Sequence, residues 1–192
     1  MRFGDTDSDE QIAVAAKDGS REAFEFLVRR HKAAIYRFVR RYIGQGDDAY
    51  DVLQNCFVSA WTGLTRYDPT RPFLPWLRVI ALNKCRDFAR RQKVRRLILN
   101  AFAAETKASA IASPAEGLDG LDAEDERLSR LDKAIARLPA FYKEPLLLTT
   151  VSGLSHIEAA EELRTTPKAI EMRLYRARKK ILSDLGPDSR EG

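Results

Sequence analysis

Two helix starts stand eleven residues apart near the end of the chain and dictate what can lie between them. Ser155 with Glu158 forms a capping box, in which hydroxyl and carboxylate each satisfy a backbone donor that the first helical turn leaves open. Thr166 followed by Pro167 is a second N-cap, with proline at the first helical position, where a missing N–H is harmless. The interval holds one short helix and one tight turn at Leu163–Thr165. Helices joined in this way make a helix-turn-helix, whose second helix fits the major groove of duplex DNA. At about 100° per residue, Ile170, Leu174, Ala177 and Ile181 fall on one stripe and are expected to face a core. Lys168, Met172, Tyr175 and Lys179 fall opposite, with Arg176 beside them. That face carries cations and groups able to touch base edges.

The remaining long segments also have helical period, and none alternates as a strand would, which predicts an all-α fold. Ser8 can cap a helix running to Lys17 and ended by Gly19. Ser20 can cap a longer one, with Phe24, Leu27, Val28, Ile35, Phe38, Val39 and Tyr42 on a stripe. After a break at residues 44–47, Val52, Leu53, Cys56, Phe57, Ala60, Trp61 and Leu64 recur at three- and four-residue steps. Residues 67–72 read as a loop, and Pro75 can open a fourth helix through Arg96. Leu128, Leu131, Ile135 and Leu138 mark a fifth helix; Pro139 begins another, in which Pro145 predicts a kink or a later start. The predicted organisation is two small helical domains: a four-helix domain at 1–97, a flexible acidic linker at 98–126, a helix-turn-helix domain at 127–186, and a tail at 187–192.

Charge follows the same division. The net charge of the 192 residues is only +5, but residues 66–97 carry +8, residues 164–180 carry +6 and residues 105–126 carry −6. Two positive surfaces separated by a negative spacer suit two contacts with phosphate. On the first, Arg66, Tyr67, Arg71, Phe73 and Trp76 lead into a helix showing Asn83, Arg86, Asp87 and Arg90 away from its apolar stripe and ending in a basic run that includes Arg91. Cations interleaved with aromatics suit single-stranded nucleic acid, where rings stack on unpaired bases. The same residues admit a plainer reading, with Phe73 and Trp76 plugging the core and the arginines forming a solvated helix end. Asp51, Gln54 and Val58 form a further stripe, opposite the buried face of the third helix.

Cys56 and Cys85 fall at apolar helix positions, with no CxxC or Cys/His cluster, so buried thiols in a reducing compartment are expected. His31 and His156 are isolated. No metal or cofactor is expected. No run approaches the roughly 18 apolar residues of a membrane span, and the N-terminus is acidic and not signal-like, so the expectation is a cytoplasmic protein without membrane insertion.

Taken in order, the segments 51–61, 76–91 and 153–178 resemble a sigma factor of bacterial RNA polymerase, of the extracytoplasmic-function type. The resemblance covers the chain apart from the linker. It implies a transcription initiation factor, not an enzyme, with core RNA polymerase and promoter DNA as partners and an anti-sigma protein as inhibitor. It also implies roles by position. Asp51, Gln54 and Val58 would meet the polymerase clamp helices. Arg66, Tyr67, Arg71, Phe73, Trp76 and Asn83 would open the −10 element and hold a flipped base, with Arg86, Arg90 and Arg91 along the phosphates. Lys168, Glu171, Met172, Tyr175, Arg176 and Lys179 would read the −35 element. The linker would thread toward the RNA-exit path.

Four positions depart from the family's habit. Arg164 stands where glycine is common in the turn, Glu171 where a basic residue is common, and Met172 where serine is. Asn55 replaces a frequent acid. Glu171 would repel a phosphate yet could accept from a cytosine amino group, so a shifted −35 preference is expected. A stand-alone helix-turn-helix regulator would explain the C-terminal half but leave the first domain's basic-aromatic segment without a role. A serine recombinase would need an α/β catalytic scaffold, and no strand-like segment is present.

Overall fold

The computed structural model describes residues 3–4, 7–44, 46–105 and 123–186. Among them the regular structure is helical: α1 (Asp9–Lys17), α2 (Arg21–Ile43), α3 (Gly46–Gly63), α4 (Phe73–Glu105), α5 (Ala123–Arg137), α6 (Ala140–Leu146), α7 (His156–Glu162) and α8 (Pro167–Leu185). A 3-10 turn at Leu64–Arg66 ends α3 and leads into the loop before α4.

The caps read from the sequence start the helices they predict. Ser8 accepts from Gln11 N, and Ser20 from Ala23 N. Gly44 closes α2 in the left-handed conformation at φ 87°, a geometry that glycine adopts without strain. The first bundle packs α1–α4 around Ile12, Leu27, Ile35, Phe38, Val39, Leu77 and Leu82, none of which reaches solvent. Burying a side chain of this size is worth about 1.5–3 kcal/mol.

In the second bundle α8 packs against α5, α6 and α7. Leu131, Ile135 and Leu138 contribute from α5 and its end; the side chain of Leu128, expected on the same stripe, lies outside those described. Pro145 lies inside α6, which begins at Ala140 and passes through it, so the later start offered as one alternative does not occur. α6 stops at Leu146 and widens into a π-helical turn at Leu147–Val151, where Ser152 N donates to Leu147 O at 3.0 Å. The hydroxyls of Thr149 and Thr150 donate back to Pro145 O (2.9 Å) and Leu146 O (2.6 Å).

Two boundaries differ from expectation. α4 does not end near residue 96 but runs to Glu105, because residues 97–105 contain good helix formers and neither glycine nor proline. α5 begins at Ala123, inside the segment expected as linker. The rest of that segment, 106–122, and the tail at 187–192 lie outside the described residues. The two bundles are docked, the end of α2 against α5, and their buried side chains form one continuous cluster.

Candidate nucleic-acid interface

The helix-turn-helix is assembled from local interactions. Ser155 Oγ accepts from Glu158 N at 3.2 Å, while the Glu158 carboxylate accepts from Ser155 Oγ at 2.7 Å and from Ser155 N at 2.8 Å, which together hold the Glu158 carboxyl below the usual range. Thr166 Oγ1 accepts from Ala169 N at 3.2 Å. Between the helices, Thr165 N donates to Ala160 O and Arg164 N to Glu161 O, a Schellman closure that needs a left-handed residue. Arg164 supplies it at φ 49°, the only positive φ outside glycine among the described residues.

α8 presents its two faces as the wheel predicts. Ile170, Leu174, Ala177 and Ile181 are buried, while Lys168, Glu171, Met172, Tyr175, Arg176 and Lys179 are exposed. Tyr175 is 64% exposed, an unusual placement for a ring with no groove to fill. Lys168 Nζ lies 2.8 Å from Glu171 Oε2 on this face. Arg173 is turned away from it: its guanidinium stacks 3.9 Å from the centre of the Phe141 ring and donates to Thr165 Oγ1.

On the first bundle the predicted residues separate into two groups. Arg66, Arg71, Asn83, Arg90 and Arg91 are exposed and Trp76 half-buried. Tyr67 and Phe73 are 2% and 1% exposed. Their rings, with Trp76, form a packed trio at 5.0–5.5 Å between centres, and Tyr67 Oη donates to Arg71 O at 2.6 Å. The trio plugs the bundle beneath the loop, so the plainer sequence reading applies to Phe73 and extends to Tyr67. The exposed Asp68 carboxylate accepts from Thr70 N and Oγ1, which holds it below the usual carboxylate range. Along α4, Arg90 pairs with Asp87 at 2.8 Å and Arg91 Nε donates to Asp87 O. Asp51, Gln54 and Val58 line the open face of α3, Val58 being 63% exposed.

Arg86 is half-buried and engaged: one terminal nitrogen donates to Asn83 Oδ1 at 3.0 Å and the rest of the guanidinium turns to the second bundle. Its Nε donates to Glu144 Oε1 at 2.9 Å, and the other terminal nitrogen donates to Oε2 at 2.7 Å. Tyr42 Oη donates to the same carboxylate at 3.1 Å. Beside it the buried Lys143 donates to the carbonyls of Tyr42 and Ala136, and desolvation pulls its pKa down to about 8. Arg41 reaches Asp132 at 2.8 Å. A Cβ on Gly44 would stand 2.9 Å from Ala136 Cβ, so the bundles meet there backbone to side chain. None of these partners was legible in the sequence, since a pairing across 58 positions leaves no periodic trace.

The cysteines are buried as expected. Desolvation pushes the Cys56 thiol up to about 12 and that of Cys85 well above 9.0, which suits packing and not reactivity. Among the described residues no His/Cys/Asp/Glu group could hold a metal ion, and no helix is long and apolar enough to cross a membrane.

Known proteins share this arrangement. Residues 27–96 match the family model for sigma-70 region 2, and residues 128–181 that for sigma-70 region 4. RNA polymerase sigma factor CnrH of Cupriavidus metallidurans is 36% identical over 188 residues, covering 95% of this chain and 97% of CnrH. RNA polymerase sigma factor NccH of Alcaligenes xylosoxydans xylosoxydans is 34% identical, covering 92% and 94%. The solved structure of CnrH in complex with the cytosolic domain of CnrY superimposes with a TM-score of 0.66 at 32% identity, over 96% of this chain and all of that one.

Proposed function

This chain belongs to the sigma-70 family, as an RNA polymerase sigma factor of the extracytoplasmic-function type, and we propose that it directs core polymerase to promoters by reading two elements with two surfaces. Its role is regulatory and not enzymatic. One observation supports the reading above the others: regions 2 and 4 occur in order, and each leaves a cationic surface open beside a fully packed core. α8 enters the major groove of the −35 element, with Lys168, Glu171, Met172, Tyr175, Arg176 and Lys179 toward the DNA. Arg66, Arg71, Trp76 and Asn83 engage the separated −10 strand, and Arg90 and Arg91 follow its phosphates. Asp51, Gln54 and Val58 meet the polymerase. The protein acts in the cytoplasm, where the polymerase is.

The docked bundles bear on the order of events. Arg86 cannot reach a phosphate while Glu144 holds it, so the bundles part when the protein takes up polymerase and promoter. An anti-sigma protein that favours the docked arrangement silences the factor; the similar protein CnrH has been solved in complex with the cytosolic domain of CnrY. The direct test adds the purified chain to core RNA polymerase on a library of random upstream sequences. Transcripts that start downstream of a shared pair of motifs are expected. Failure to bind the core at any salt concentration overturns the reading.

A further inference from the structure

We propose that α1, which precedes the matched region 2 segment, is a brace that sets the shape of the loop before α4, and that Glu10 and Lys17 are its positioning residues. The inference rests on the assignment of that loop to the −10 strand made above. Glu10 Oε1 accepts from Phe73 N at 3.1 Å, across 63 positions. Phe73 is the first residue of α4, where backbone donors have no partner within the helix. The neighbouring Pro72 and Pro75 carry no N–H, so the Glu10 carboxylate meets one of the few donors this helix start offers. A negative charge there is also favoured by the helix dipole.

Lys17 ties down the other end, its Nζ donating to Tyr67 O at 3.2 Å. Seven positions separate Glu10 from Lys17 on one helix, a rise of about 10.5 Å. The loop is thus held at its first and last residues by a single rigid ruler. α1 is itself anchored: Asp9 accepts from Arg30 at 2.7 Å and stands 2.7 Å from His31 Nε2, both on α2. Inside the span, Tyr67 and Asp68 close the loop on Arg71 and Thr70. What remains exposed is the tip, with Asp68, Thr70 and Arg71, beside the exposed Arg66 of the preceding turn. A tip held in its binding shape loses less freedom on engaging a strand, and it discriminates between bases because it cannot yield to a wrong one. Neither Glu10 nor Lys17 touches DNA in this scheme.

The test uses the holoenzyme formed with core polymerase, on a labelled fork template whose −10 strand is single-stranded and carries the motif selected by the wild-type chain. Affinity for that motif is compared with affinity for the same template changed at its most discriminated base. Glu10→Ala is expected to cut the ratio about five- to tenfold, with binding to a duplex −35 template unchanged. Glu10→Gln keeps an acceptor oxygen and restores the ratio. Lys17→Met, at an exposed position, lowers it in the same direction. An unchanged ratio in both Glu10→Ala and Lys17→Met overturns the brace while leaving the wider reading intact. An equal loss on the −35 template also overturns it, since that marks general unfolding. A wild-type holoenzyme with no base preference on the fork sinks the wider reading and the brace together.

Discussion

Arg86 and Glu144 join the two bundles through a two-pronged pair, with both carboxylate oxygens accepting from one guanidinium. The side chains are 32% and 14% exposed, so solvent screens the pair only in part. Each hydrogen bond to a charged group of this kind is worth about 1.5–3 kcal/mol at most, and the exposure of Arg86 places this pair toward the lower end. In the polymerase-bound state the same guanidinium is expected to follow a phosphate. Glu144→Gln weakens the grip without removing volume. The expected result is a longer distance between fluorophores placed on α3 and α8, together with about three- to tenfold tighter binding of a −10 oligonucleotide. No change in either quantity would show that the docking does not compete with DNA.

The two DNA surfaces are expected to fail separately. Trp76→Ala or Asn83→Ala lowers open-complex formation on duplex promoter by about tenfold, the scale of one lost base contact, and leaves −35 binding intact. Arg176→Ala weakens −35 duplex binding and is neutral on a short pre-melted −10 template. Equal losses for all three variants on both templates would contradict the division.

Glu171 stands exposed on the outer face of α8 with Lys168 as its partner. A carboxylate so placed repels phosphate and accepts from a cytosine amino group. Glu171→Lys is expected to change the −35 sequence recovered by selection. Recovery of the wild-type motif would remove Glu171 from the reading set.

Arg164 occupies the left-handed position of the helix-turn-helix turn. A side chain there costs about 1 kcal/mol, part of which Gly returns through its freer unfolded state. Arg164→Gly is therefore expected to raise Tm by about 1–3 °C in calorimetry. A lower Tm would mean that the Arg164 side chain contributes more than its backbone costs.

His31 gives the first bundle a pH dependence of known sign. Burial is the largest influence and lowers its pKa from 6.5; Arg30 and Arg78 act in the same direction, against the opposing pull of Asp9. The unfolded chain therefore takes up a proton near pH 6.5 that the folded chain still refuses. Stability present above that pH is lost as the solution is acidified toward the lower folded pKa. His31→Gln should flatten the decline of Tm as the pH falls below about 6.5, the unfolded value. A variant as sensitive as the wild type would place the effect on other groups.

The sequence shows most clearly what neighbours along the chain decide. The inner stripe of α8 is buried residue for residue, because a 3.6-residue period and two N-caps are local facts. The end of α4 is less legible: the composition shift after residue 97 reads as a linker, yet nothing there stops a helix. The loop aromatics show a different limit. Period and charge place Tyr67 and Phe73 beside cations, but whether a ring points at solvent or at a core depends on α1 and α2, which approach from far away in sequence. Glu144 and Lys143 were missed for the same reason.

Gly44 shows how small the determinant of a large rearrangement can be. Its left-handed backbone and the 2.9 Å gap that a Cβ would leave to Ala136 coincide at the corner where one half of the molecule turns toward the other. Adding one methyl at this corner would act as a wedge, straining the turn and prising the halves apart without altering any charge. How readily this factor shuts could therefore drift in evolution while every DNA-facing side chain stays the same.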